Sequence, residues 1–196
     1  EIYTLSLHDA LPISISIETE YKGYRFRSRL EARWAVFFES LDIRFEYEPE
    51  GYQLTDGTRY LPDFYLPDSD TFFEVKGVLS EKDNQKIQRF REDIKKPVVI
   101  GYDGMKFDAT DAWNDGKYEF AGQDSSVLAR CKDCGKAYFM GMNGSFRCRC
   151  CGAYDGDGHF DLLGWGNGES EDFDFACATY SATKARFEHG EKGGSP

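Results

Sequence analysis

Tyr60-Leu-Pro-Asp63-Phe-Tyr-Leu66 and, after a short break, Phe72-Phe-Glu74-Val-Lys76-Gly77 form the stretch that decides the fold. Both halves are rich in aromatic and aliphatic residues and read as neighbouring strands. In the second, the strand period of two puts Glu74 and Lys76 on one face and turns Val75 into the opposite layer. Asp63 lies eleven residues before Glu74, inside the first apolar run, so a tight pairing sets its carboxylate beside that of Glu74. Two carboxylates at that separation repel unless a hard divalent cation lies between them. Plainer readings exist for each residue. Charges alternating with apolar residues usually mark a solvated face, and Pro-Asp is a frequent turn dipeptide. Phe72, Phe73 and Val75 argue instead for a strand covered on both sides, and the apolar residues around Asp63 argue for a strand running through it.

Pro62-Asp63 followed by Glu74-Val75-Lys76 resembles the PD-(D/E)XK nuclease superfamily, whose members cut nucleic-acid phosphodiesters. The resemblance covers roughly residues 21 to 102. It implies an α/β fold with a restriction-endonuclease-like core, a mixed sheet flanked by helices. It also implies that Asp63 and Glu74 hold Mg2+ or Mn2+, that Lys76 orients or activates the attacking water, and that an acid on the first helix, here Glu31, completes the metal site. The order Glu31, Asp63, Glu74, Lys76 is similar to that of phage junction-resolving and transposon-end-cutting endonucleases. A DNA substrate is expected, with RNA as the other nucleic acid the chemistry admits; many of those nucleases cut as dimers, so a homodimer is compatible with the resemblance, although the sequence marks no interface. Ser28-Arg-Leu-Glu31 also reads as a capping box, with Ser28 as N-cap and Glu31 reaching back to its amide, a role that Glu31 can fill without any catalytic one.

The surrounding pattern predicts an α/β core. Leu30, Trp34, Phe37, Phe38 and Leu41 recur at helical spacing from Ser28 to about Ser40, placing Glu31 at the edge of the apolar stripe. A strand is expected over Ile43 to Tyr47. A polar helix follows from about Ser80 to Lys95 with Ile87, Phe90 and Ile94 inward, then a buried strand through Pro97 to Tyr102. The helix lies between strands, as a crossover would.

Downstream, Cys131-Lys-Asp-Cys134-Gly135 and Cys148-Arg-Cys-Cys151-Gly152 are two Cys-x-x-Cys-Gly knuckles. Each supplies two thiolates from one tight turn, closed by a glycine free to adopt positive φ. Four thiolates at about 2.3 Å are what tetrahedral zinc takes, so Cys131, Cys134, Cys148 and Cys151 read as the ligands of a Zn2+ ribbon. A disulfide framework is the competing reading. The six cysteines, without a secretory signal, point to a reduced, cytoplasmic setting instead. Cys150 is spaced too closely to Cys148 for a knuckle, Cys177 reads as a small core residue, and His159 reads as an ordinary surface or core histidine.

The 196 residues, 40% hydrophobic and 16% aromatic, suffice for one α/β core plus a small satellite, and no apolar stretch reaches membrane-spanning length. A net charge of −11 weighs against a nucleic-acid partner, because phosphate binding favours a basic footprint. Locally, however, Lys22, Arg25, Arg27, Arg29 and Arg33 crowd around the single acid Glu31, interleaved with Tyr21, Tyr24, Phe26 and Trp34. This strip is expected to grip a phosphate backbone; the alternative is a solvated helix entry. Residues 1–14 match the translation of a widely used sequencing-library adapter and are expected not to belong to the fold. The expected boundaries are then 15–104 for the nuclease core, 105–127 for a connector and 128–165 for the ribbon. A Gly- and acid-rich loop, a closing helix and a disordered tail occupy 166–196. The function these readings imply is metal-dependent endonuclease hydrolysis of DNA in a phage or mobile-element setting. The alternative is a non-catalytic nucleic-acid or protein-binding adaptor built on the same fold.

Overall fold

The computed structural model describes residues 17–110, 119–142, 147–154 and 158–187. The adapter-like segment, part of the expected connector and the expected tail lie outside them. A hairpin of β1 (Thr19–Tyr21) and β2 (Tyr24–Phe26) leads into α1 (Arg29–Ser40). Ser28 caps α1, its Oγ accepting the Glu31 N–H at 3.1 Å, and Trp34, Ala35, Phe37 and Phe38 form the helix's fully buried face. After β3 (Glu46–Tyr47), a second hairpin joins β4 (Tyr52–Gln53) to β5 (Arg59–Tyr60). The chain then enters β6 (Phe64–Leu66) and β7 (Thr71–Val75).

The fold is mixed α/β. Its main sheet has five strands in the order β3, β6, β7, β8 (Val98–Gly101) and β9 (Phe107–Ala109). Every pairing is antiparallel except that of β7 with β8, and that parallel pair is joined by the crossover helix α2 (Glu81–Ile94). β7 is buried at every position, because its two faces are covered by different layers. Phe73 and Val75 pack against α1, in one cluster with Trp34, Phe38 and Phe64. Phe72 points the other way, into a cluster with Ile87 and Phe90 of α2, Tyr60, Val98 and Ile100.

Three expectations change. The run from Tyr60 to Leu66 is two strands in two different hairpins: Tyr60 pairs with Tyr52, and the chain bends over 61–63 before β6. Pro62 has no N–H to give to a ladder, so Asp63 precedes β6 rather than lying within it. The main sheet also runs past residue 104, because β9 pairs with β8.

The third change concerns the cysteine-bearing part. β10 (Ser126–Cys131), β11 (Ala137–Gly141) and β12 (Phe160–Trp165) form a second sheet in the order β11, β10, β12. Its Leu128, Phe139 and Leu163 are buried in the same cluster as α1 and β7, with the Phe139 ring 5.2 Å from that of Phe73 and 4.9 Å from that of Phe107. The second sheet is therefore packed into the main core rather than appended to it. Gly166, expected to open the Gly- and acid-rich loop, is buried, as is Gly164 just before it. The Gly166 N–H donates to Ser126 O at 2.7 Å, and its carbonyl accepts the Phe107 N–H at 2.7 Å. A Cβ on Gly166 would fall 2.2 Å from Phe107 O. Only glycine lets these backbones meet, so what reads as loop composition is a packing requirement.

The closing helix, α3 (Phe173–Lys184), lays Phe175, Ala178 and Ala182 on α1, with the Phe175 ring edge-on to Phe37 at 5.5 Å. Cys177 lies off this i, i+3, i+7 stripe and is exposed, contrary to the core reading. Among the described residues no helix is long and apolar enough to cross a membrane.

Candidate functional site

The hairpin of β6 and β7 sets the geometry. Its register pairs Phe64 with Phe73 and Tyr65 with Phe72, and one step beyond β6 it places Asp63 opposite Glu74. Asp63 Oδ2 accepts the Val75 N–H at 2.7 Å and lies 3.5 Å from Lys76 Nζ, which is 3.0 Å from Glu74 Oε2. Asp63 and Glu74 are buried. They line a cleft of about 210 Å³ with Lys76, Tyr60, Arg59 and Lys86.

Electrostatics in this cleft divide one ammonium between two acids. Burial opposes charge on Lys76, but Glu74 and Asp63 outweigh it and hold the lysine above its ordinary value. Glu74 is pushed up to about 7, first by burial and then by Asp63, despite the lysine. The two shifts agree physically: the lysine stays charged, and the more deeply buried acid is the one that gains from a proton. Burial, and next the Glu74 charge, also hold the Tyr60 phenol well above its usual range.

Glu74 Oε1 and the Tyr60 hydroxyl are buried in the same wall of the cleft, and a hydrogen bond between phenol and carboxylate is among the influences on both groups. Two buried acids that share one ammonium remain short of positive charge, and a hard cation with oxygen ligands would supply it. Asp63 is already engaged on both oxygens, because Arg27 Nη2 donates to Oδ1 at 2.7 Å. Arg27 also reaches Glu48 at 2.6 Å through Nε. A cation shared by Asp63 and Glu74 must therefore share Asp63 with Arg27 or displace it.

The structure does not bring Glu31 into this group. Its carboxylate accepts from the Arg27 N–H at 3.0 Å, the Ser28 hydroxyl at 2.8 Å and the Tyr47 hydroxyl at 2.7 Å, so the cap closes on the Arg27 amide rather than that of Ser28. Burial, the largest influence, raises its pKa. Among the described residues, Glu31, Asp63 and Glu74 do not converge as a set of three candidate metal ligands.

The basic strip is largely held inside the molecule. Lys22 pairs with Glu39 at 2.8 Å, Arg25 with Glu18, Arg27 with Asp63 and Glu48, and Arg33 with Asp103 at 3.5 Å, leaving Arg29 exposed. Sequence reading missed the pairing of Arg27 with Asp63 and the presence of Tyr60 at Glu74. Nothing in residue spacing signals the first. Tyr60 stands three residues before Asp63 in an aromatic run, a pattern that signals strand and nothing more.

The cysteines converge as their spacing implies. The sulfurs of Cys131, Cys134, Cys148 and Cys151 all lie within 4.8 Å of one another, with Cys131 to Cys151 at 3.7 Å and Cys134 to Cys148 at 3.5 Å. Four sulfurs at about 2.3 Å from a tetrahedral zinc are about 3.8 Å apart, whereas a disulfide requires about 2.0 Å. The two knuckles repeat one backbone pattern: Gly135 N–H donates to Cys131 O, and Gly152 N–H to Cys148 O, both at 2.8 Å, and both glycines have positive φ. Burial pushes the Cys148 thiol up, but the Cys151 amide and the Tyr138 hydroxyl, 3.0 Å from its sulfur, bring it down to about 6. The group can hold a metal ion and is consistent with Zn2+. Cys150 is exposed, and His159 sits 3.4 Å from Asp133 through Nδ1; neither belongs to the four-sulfur group.

No family model matches the chain, and a search of curated proteins finds no match either.

Proposed function

We propose that the protein is a metal-dependent endonuclease that hydrolyses DNA phosphodiesters at the cleft of Asp63, Glu74 and Lys76, on a nuclease-type α/β core with a structural zinc ribbon. The observation that carries this reading is the meeting of two buried acids and a lysine at one end of the β6–β7 hairpin, one ammonium between two carboxylates. Asp63 and Glu74 would hold Mg2+ or Mn2+, which when bound supplies Lewis-acid polarisation of the phosphate and a lowered pKa for water. Lys76, charged and 3.0 Å from Glu74, would position that water and offset negative charge developing on the phosphate. Tyr60, kept protonated by burial and Glu74, offers a donor at the same wall. Glu31 acts at one remove in this reading: it fixes the Arg27 backbone, and Arg27 in turn touches Asp63.

Supercoiled, linear, branched and single-stranded DNA incubated with the protein in magnesium tests the proposal, with Lys76→Ala and Asp63→Ala as controls. Nicking or cleavage that needs the divalent ion and disappears in both variants is expected. Cleavage that survives in both, or DNA binding with no cleavage of any form, would replace the nuclease with an adaptor.

A further inference from the structure

We propose that the exposed face of α2 binds the phosphodiester backbone of a DNA duplex and leads it into the cleft of Asp63, Glu74 and Lys76; this assignment rests on the nuclease reading above. Lys82, Lys86 and Arg89 stand at i, i+4 and i+7, so they share one face of the helix, and all three are exposed. At 1.5 Å per residue the row is about 10 Å long, the axial length of about three phosphates of one strand.

The row is continuous with the candidate chemistry. Lys82, Lys86 and Arg89 line a groove along α2, and Lys86 also lines the cleft that holds Asp63, Glu74 and Lys76, where Arg59 of β5 joins it. Asp56 and Glu92 border the groove as well. The three cations outnumber these two acids, in a chain whose net charge is −11. Among the described residues Arg59, Lys82, Lys86 and Arg89 make no ion pair, whereas Lys22, Arg25, Arg27 and Arg33 of the strip suggested by the sequence each do. Releasing a paired cation to a phosphate breaks one contact to make another, while Arg59, Lys82 and Lys86 have no ion pair to break and Arg89 has only its looser attraction to Asp56.

Salt dependence of binding separates the two surfaces. Fluorescence anisotropy with a labelled DNA duplex in magnesium-free buffer, over a range of salt, gives the slope of log K against log salt. Each lost phosphate contact lowers that slope by about 0.9. Lys86→Gln with Arg89→Gln should therefore lower it by about 1.8 and weaken binding roughly 60-fold at 0.1 M salt. Lys184→Gln on α3 serves as the control for charge alone and should leave the slope unchanged. A wild-type protein that cleaves DNA in magnesium, with a slope unaltered in the double variant, overturns the α2 track and leaves the nuclease reading standing. So does a slope lowered instead by Lys22→Gln with Arg25→Gln, or an effect seen with an RNA duplex alone. A wild-type protein that neither binds nor cleaves DNA overturns both.

Discussion

Glu74→Gln should stabilise the magnesium-free protein, and more so as the pH rises. Glu74 ionises near 4.5 when exposed and at about 7 in the fold. Between these values the folded protein keeps a proton that the unfolded chain has lost, so stability falls as pH rises through the window and levels off above about 7. The gap is worth about 1.4 kcal/mol per pH unit, which gives a penalty of roughly 1 kcal/mol at pH 5 and roughly 3 kcal/mol at pH 8. Glutamine has nearly the same shape and does not ionise, so it removes the penalty. The lost attraction to Lys76 does not reverse the sign, because burial and Asp63 together already outweigh that attraction in setting the Glu74 pKa. Urea unfolding of both proteins at pH 5 and pH 8, with zinc present throughout, reads the difference; any pH effect on zinc affinity is common to the two and cancels. Magnesium added at pH 8 should then stabilise the wild type and leave the variant nearly unchanged, as linkage requires of an ion bound through Glu74. An equal difference at the two pH values, or a variant less stable at pH 8, would refute the argument that Glu74 carries an uncompensated burial penalty.

Gly164→Ala would set a Cβ 2.5 Å from the Phe175 ring, and overpacking of that kind costs about 1–3 kcal/mol; a urea midpoint equal to that of the wild type would show that α3 can shift freely. Arg27→Met removes the cation bonded to Asp63 Oδ1 and should tighten Mn2+ binding, measured by titration calorimetry, roughly tenfold or more through loss of like-charge repulsion; weaker binding would mean that Arg27 serves to hold Asp63 in place. Cys148→Ser should lose about one zinc per chain by elemental analysis and lower the stability of the whole protein by several kcal/mol, because Leu128, Phe139 and Leu163 share a core with α1. A separate, unshifted main transition in calorimetry would show that the cysteine-bearing sheet folds on its own.

The parts of this fold legible in the sequence are those governed by short-range periodicity. The two-residue period of β7 placed Glu74 and Val75 on opposite faces, the apolar spacing of α1 and α2 located both helices, and the Cys-x-x-Cys-Gly turns located the metal group. Each depends on residues within a few positions of one another. What escaped depends on long-range backbone encounters. Tyr60 leaves the main sheet because it pairs back to Tyr52. Gly166 is buried because Phe107 and Ser126, far away in sequence, close on it. The basic strip is marked in the sequence by its charge count and interleaved aromatics, and neither can show that Glu39, Glu18, Asp63 and Asp103 come to meet it. The same count passed over Lys82 and Arg89, since acids stand near them in sequence although helical spacing gathers them with Lys86 on one face.

The acid-lysine cleft and the cysteine group stand at opposite ends of one hairpin, and this makes the second sheet more than an appendage. Asp63 and Glu74 lie at the open end of β6 and β7. The turn at the other end is held by the cysteine-bearing region: Arg149, between two cysteines of the second knuckle, donates to Ser69 O at 2.8 Å and Thr71 Oγ1 at 3.0 Å, and Lys136 reaches Asp68 at 3.2 Å. Ser69 and Thr71 are buried while Arg149 is exposed, so the Arg149 bonds are partly screened from water at their acceptor ends. A two-stranded hairpin is marginal by itself. Here β7 has β8 on its far side, while beyond β6 lies only the two-residue strand β3. The placement of Asp63 against Glu74 thus depends on β6 keeping its register, and the knuckle fixes that register from the turn. A metal ion at the four sulfurs would set the position of Arg149, and through it the spacing of two carboxylates to which it makes no direct contact.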